Sequence, residues 1–164
     1  MNRLIATFFY TGLLKPGPGT WGSAAAIPVA WLLHWAGGFP LLALATVLVF
    51  ALGTYSAKAE SARLGVHDPS EIVIDEVVGM WIALWPLSAG LWHAGVAGYV
   101  FPWPGWVGGF VMFRLFDIYK PWLVGRADRR GDIWGLMLDD VIAGVFAAVV
   151  VAAAAAVSHG VLMQ

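Results

Sequence analysis

The chain contains no cysteine in its 164 residues, which excludes disulfides, thiolate catalysis and metal sites built on sulfur. Charge is scarce as well. Only 12% of the residues are charged against 60% hydrophobic, too few for a soluble domain of this length to cover its own surface. The charged residues that exist fall into three segments, 3–15, 58–76 and 114–140, and everything between them is uncharged. Ten acids face nine bases. Because the two signs are interleaved, there is no basic patch of the kind that binds nucleic acid. Internal repeats are absent, and the Ala-rich tail is low in complexity only as membrane helices often are.

What remains is apolar sequence in long runs. Residues 16–57 far exceed the roughly 20 residues one helix needs to cross a bilayer, so two helices are expected, near 22–36 and 41–57. Gly37, Gly38 and Pro40 supply the break between them. Residues 77–113 repeat the arrangement, with Gly98, Pro102, Pro104 and Gly105 around the turn, and 141–164 provide a fifth helix. The expected fold is all-α: a polytopic membrane bundle of about five transmembrane helices, forming one integral-membrane domain over 1–164. Residues 4–14 have the length of a signal-peptide core, but Lys15, prolines and glycines follow them instead of a cleavage site, so they read as a retained interfacial segment. Five crossings put every lysine and arginine on one side, which the positive-inside rule makes cytoplasmic. Trp35, Trp92, Trp103 and Trp106 then fall near the outer interface, and Trp21, Trp122 and Trp134 near the inner one.

The acids are grouped. Asp75 and Glu76 are expected where the third helix begins, Asp139 and Asp140 where the fifth begins, and Asp117 at the inner end of the fourth. Helix capping accounts for either pair, since an acid at a helix N-terminus accepts backbone N–H bonds and complements the dipole. Asp117 needs something else, because a C-terminal dipole repels it. Arg114 or Lys120, three residues away on either side, could neutralise it; so could a divalent cation. Oxygen-only ligands favour Mg²⁺ or Mn²⁺.

Arg114 and Lys120 flank Asp117 on one helical face, and a divalent ion beside a guanidinium and an ammonium makes a site for a phosphate group. Arg126, Arg129 and Arg130 are equally well explained as headgroup contacts. The stretch from Lys15 through Thr20 to Ser23 leads into the first helix with glycines that allow close backbone approach to an anion, although Thr20 is also simply placed to cap. His67 and Asp68 lie in the loop before the third helix. His67 is the one histidine on the charged face, and Asp68 or Ser70 is a candidate cap there. The small residues Gly108, Gly109, Ala143, Gly144 and Ala147 are expected to serve close helix packing.

Four blocks in order carry a resemblance: Pro18-Gly19-Thr20-Trp21-Gly22-Ser23; His67-Asp68 with Ile72-Val73-Ile74-Asp75-Glu76-Val77-Val78-Gly79; Phe113-Arg114-Leu115-Phe116-Asp117-Ile118-Tyr119-Lys120-Pro121-Trp122; and Leu138-Asp139-Asp140-Val141-Ile142-Ala143-Gly144. Together they resemble the phosphatidylglycerophosphatase A family. The resemblance implies a Mg²⁺-dependent phosphatase of the bacterial inner membrane, active at the cytoplasmic face. Its substrate would be phosphatidylglycerophosphate among the membrane lipids, with phosphatidylglycerol as product. It carries over to Thr20, Ser23, His67, Asp68, Asp75, Glu76, Arg114, Asp117, Lys120, Asp139 and Asp140. Leu123 stands where the family commonly has proline, and 125–134 carries extra charge.

On this basis Asp75, Glu76, Asp117, Asp139 and Asp140 are expected to bind the metal. Thr20, Ser23, Arg114 and Lys120 are expected to bind substrate, and one carboxylate, or His67 with Asp68, to move the proton. An aspartyl-phosphate route is also open. Two other functions compete. A phospholipid-forming phosphotransferase would need an aspartate- and glycine-patterned signature that is missing, and an ion transporter would need acids at the bilayer midplane, where the spans are uncharged. The Asp-x-Asp of haloacid-dehalogenase-type phosphatases is missing too.

Overall fold

The computed structural model describes residues 1–66 and 69–162, the last four of these by backbone alone. His67 and Asp68 lie outside the described residues. Six α-helices follow in order: α1 Asn2–Ala6, α2 Pro18–Leu64, α3 Ile74–His93, α4 Trp103–Tyr119, α5 Leu123–Asp128 and α6 Ile133–Leu162, with a 3₁₀ turn at Thr11–Leu13. No strand occurs among the described residues.

α2 is two helical arms joined at a hinge. Gly37 (φ −157°, ψ 17°) and Gly38 (φ 65°, ψ −160°) leave the helical region, and Gly38 takes a positive φ that a side chain would oppose. The arms fold back on one another. Gly22 in the first and Gly53 in the second both lie against the start of α3, at Val73 and Ile74 respectively. Near the hinge, the indole of Trp92 at the far end of α3 covers Gly38, and Trp35 covers Gly98. The expected break is therefore at the expected residues. The second arm, however, runs on to Leu64 instead of ending near residue 57, because Arg63 pairs with Glu60 one turn earlier and Gly65 closes the helix with a positive φ.

Among the described residues, three helices are long and apolar enough to cross a membrane by length and composition, Pro18–Leu64, Ile74–His93 and Ile133–Ser158. The expectation of about five meets this number because α2 is continuous across its hinge and α4 has 17 residues. α3 sits at the centre of the bundle. Val77, Val78, Met80, Ala83 and Leu84 are all buried against the surrounding helices, which makes α3 the fixed reference for everything at its N-terminus. Of the small residues expected at helix contacts, Gly109, Ala143, Gly144 and Ala147 are at contacts, whereas Gly108 faces open space.

Residues 1–14 are folded rather than lying apart. The Ala6 carbonyl accepts the Val73 N–H at 3.0 Å, Thr7 and Gly12 are buried, and Phe9, Tyr10 and Leu14 are left exposed. Arg3 reaches Glu60 (3.9 Å) and Glu71 (3.7 Å). This short segment therefore ties the end of α2 to the strand of chain entering α3.

Candidate active site

Ser70 does not cap α3, and Asp68, the other cap candidate, lies outside the described residues. Val73 occupies the cap position and, having no polar atom in its side chain, makes no side-chain bond, while its own N–H is held by the Ala6 carbonyl. Asp75 and Glu76 are the second and third helical residues, and the Asp75 carboxylate accepts the Glu76 N–H at 3.0 Å. Thr20 is not a cap either. Gly17, with positive φ, holds that position in α2, and Thr20 is exposed in the first turn.

Asp139 and Asp140 require a larger correction. They do not start their helix; α6 begins at Ile133, so the pair stands about two turns inside it. The acid that caps α6 is Asp132, whose carboxylate accepts the Gly135 N–H at 2.7 Å and pairs with Arg130 at 3.0 Å. These two contacts hold the Asp132 carboxyl below its ordinary range, Arg130 contributing most. Capping thus fails to explain Asp139 and Asp140, which are 4% and 3% exposed. Buried carboxylates of this kind need compensation from a partner or a bound ion.

The cations divide the acids between them. Arg114 Nη1 binds Glu76 at 2.5 Å and Asp117 at 2.7 Å, so Arg114 is the counter-charge that Asp117 needs at the C-terminal end of α4. The hydroxyl of Ser23, fully buried, lies 2.5 Å from the Glu76 carboxylate and 2.9 Å from the Gly19 carbonyl and donates its one proton to either acceptor. Lys120 takes the other side, donating to Asp139 at 2.8 Å and Asp128 at 2.5 Å. Burial draws its ammonium down, but these hydrogen bonds outweigh the burial and hold Lys120 above the usual lysine range. Asp140 lies within electrostatic reach of Asp75, Asp117, Glu76 and Asp139, and no basic side chain pairs with it among the described residues.

These groups surround a cavity of about 230 Å³ whose walls include Asp75, Glu76, Asp117, Lys120, Asp139 and Asp140. Carboxylates from four helices, Asp128 at the end of α5 among them, therefore share one water-accessible space at one end of the bundle. As placed, no three of the described His, Asp or Glu side chains converge into a closed ion cage. Arg114 and Ser23 stand behind Glu76 rather than in the cavity wall, and Thr20 is outside it.

Two glycines make this assembly possible. A Cβ on Gly79 would lie 2.5 Å from the Asp140 carbonyl and 2.5 Å from the Phe113 ring, and one on Gly144 would lie 2.3 Å from the Gly79 carbonyl. α3 and α6 thus touch backbone to backbone, and Asp75, one turn before Gly79, is brought beside Asp140. Gly19 serves the cavity directly: a Cβ there would occupy the place of the Glu76 carboxylate, 1.5 Å from its Oε1. Sequence reasoning passed over Asp128 and Asp132, which also line the cavity. Their signal was present in the charge-rich 125–134 segment, but it reads equally as a solvated linker.

The family model of phosphatidylglycerophosphatase A matches residues 4–155. A phosphatidylglycerophosphatase A of Haemophilus influenzae is 36% identical over 91% of this chain and 85% of its own length. One from Escherichia coli is 38% identical over 89% and 78%. A Bacteroides thetaiotaomicron protein provisionally named a phosphatidylinositol-3-phosphatase is 32% identical over 92% and 91%. No solved structure matches significantly. A match running almost from end to end, and through all the cavity carboxylates, means that the chain belongs to the phosphatidylglycerophosphatase A family, a family of phosphoric monoester hydrolases.

Proposed function

We propose that the chain hydrolyses the terminal phosphomonoester of phosphatidylglycerophosphate to phosphatidylglycerol and phosphate, at the cytoplasmic face of a bacterial inner membrane that it crosses five times. Five apolar helical arms support the crossing number: the two arms of α2, then α3, α4 and α6. The confinement of every lysine and arginine to the cavity end of the chain's threading supports the orientation.

The observation that carries the chemistry is the excess of carboxylate around Asp140. Four other acids approach this buried group and no base offsets it among the described residues, so the site suits a hard cation. All its donors are oxygens, the set that Mg²⁺ prefers. Asp75, Glu76, Asp117, Asp139 and Asp140 would hold it. When bound, Mg²⁺ supplies neutralisation of charge on the phosphoryl oxygens in the transition state. Lys120, the cation in the cavity wall, holds a further phosphoryl oxygen. Arg114 keeps Glu76 and Asp117 turned toward the cavity. Water attacks phosphorus; its oxygen forms the new P–O bond and its proton passes to a carboxylate. The bond to the glycerol oxygen breaks, and that oxygen takes a proton from an acid for which His67 with Asp68, in the loop before α3, is the second candidate.

The test is phosphate release by the purified protein from phosphatidylglycerophosphate, phosphatidic acid, phosphatidylinositol 3-phosphate and a soluble phosphate ester, each with Mg²⁺ and with chelator. The expected result is fastest release from phosphatidylglycerophosphate, lost with chelator and restored by Mg²⁺. Equal release with chelator would sink the metal; preference for phosphatidylinositol 3-phosphate would replace the substrate.

A further inference from the structure

The carboxylate cavity adjoins, at Asp132, a trough that the chemistry above does not use. Asp132 lines both the cavity and a shallow groove of about 550 Å³ beside the end of α2. That groove shares Lys58 and Ile133 with a second one of about 360 Å³. Phe50 then joins the second groove to a wholly apolar pocket of about 190 Å³ between α2, α3 and α6. The two grooves and the apolar pocket follow one seam, between the second arm of α2 and the first turns of α6, and the cavity meets it at Asp132. Polarity falls along it. The cavity end is carboxylate, the two grooves carry Lys58 with Ser61, Thr54 and Tyr55 among mostly apolar walls, and the pocket beyond Phe50 exposes no polar surface.

Lys58 is exposed and forms no ion pair among the described residues. The nearest acid in the groove, Asp132, is already committed to Arg130 and to the Gly135 N–H. The groove therefore offers an uncompensated positive charge where the trough turns from polar to apolar. An amphiphile with an anionic group at that boundary complements it.

We propose that the α2–α6 seam is the binding path for the diacyl end of the lipid substrate, with Lys58 at its mouth holding the phosphodiester that is not cleaved. Asp132, which caps α6 and is shared by the cavity and the groove, stands seven residues before Asp139, about 10 Å along the helix axis. A glycerol bridge between a phosphodiester at Lys58 and a phosphomonoester among the carboxylates lies along that interval. The acyl chains continue past Phe50 and Trp134 toward the apolar pocket. This rests on the proposed substrate, and it adds what would distinguish a lipid with two phosphates from phosphatidic acid, which has no diester for Lys58.

The experiment reads binding, not turnover. The full-length protein in vesicles of phosphatidylcholine is photolysed with phosphatidic acid carrying a diazirine in its acyl chain, and labelled peptides are mapped. Labelling is expected in the segment containing Phe50 and Ala51 and in that containing Trp134. It should be competed by phosphatidylglycerophosphate and reduced severalfold in Ala51→Trp, which fills the trough at an exposed position. Lys58→Ala should raise the phosphatidylglycerophosphate concentration needed for half-protection about tenfold relative to that of unlabelled phosphatidic acid, the cost of one charge-assisted contact. Lys58→Arg should restore it. Labelling elsewhere, or labelling in the seam that extra phosphatidylcholine competes equally well, would overturn the path; an unchanged ratio in Lys58→Ala would overturn the role of Lys58. If labelling behaves as expected while the wild type releases no phosphate, the seam stands as a lipid site and the proposed hydrolysis falls.

Discussion

The two ends of the bundle are both crowded with glycine, and they use it differently. At the hinge end, Gly38 receives the Trp92 indole and Gly98 the backbone of Trp35 with the edge of its ring, so the missing side chains close the packing around two tryptophans. His34, buried there, is satisfied by Ser88 at 2.8 Å. At the cavity end, Gly19 admits the Glu76 carboxylate, Gly79 the Asp140 carbonyl and the Phe113 ring, and Gly144 the Gly79 carbonyl, so here the missing side chains also bring acids together. Close approach is a packing device at one end and an electrostatic one as well at the other. The difference teaches that a glycine's role cannot be judged from its helix alone, but from what fills the space it leaves.

The largest effects should come from the carboxylates. Asp75→Asn or Asp139→Asn is expected to lower phosphate release by more than about 100-fold with the protein still inserted and folded. Near-normal turnover in both would remove the charge-gathering function of the cavity end. Gly79→Ala should follow, because its Cβ meets the fixed Asp140 carbonyl; overpacking of about 1–3 kcal/mol is expected, with a lowered melting temperature and a lowered kcat together.

Gly19→Ala against Gly98→Ala sharpens the comparison most directly. At Gly19 the obstructing atoms are the movable tip of Glu76, so kcat should fall several-fold with little change in thermal stability. At Gly98 they are Trp35 backbone atoms at 3.0 and 3.2 Å, so stability should fall and kcat per folded molecule should not. The reverse pattern would erase the distinction between the ends.

The smallest effect concerns the cap of α6. The folded Asp132 carboxyl is held below its ordinary value by Arg130 and the Gly135 N–H. Its contribution is therefore complete above the unfolded pKa of about 3.9 and is lost as pH falls through the lower folded value. Amide exchange at Gly135 should accelerate only in that acid window, and Asp132→Ala should remove the pH dependence while leaving the hinge end unchanged.

Much of this architecture is readable before folding. A bilayer demands long uncharged runs, so the runs and the charged segments between them place the helices and collect the acids at one end. Gly37 and Gly38 mark the hinge because two consecutive residues without Cβ have little reason to stay helical. The start of α6 is hidden, since Gly131, Asp132 and the preceding arginines look like a linker; Asp132 as cap and burial of Met137 and Val124 make the segment helical and ordered. That is why Asp139 and Asp140 were expected at a helix start and are found two turns inside one.

By itself the sequence determined the helical class, the hinge, the family and the set of acids, because hydrophobic run length and local backbone freedom are properties of contiguous residues. Only the tertiary structure decided that Arg114 holds Glu76 from 38 positions away, that Lys120 turns to Asp128 and Asp139, and that Asp140 is left among acids. Ion pairing depends on distance in space, and those distances exist only after α3, α4, α5 and α6 have packed together.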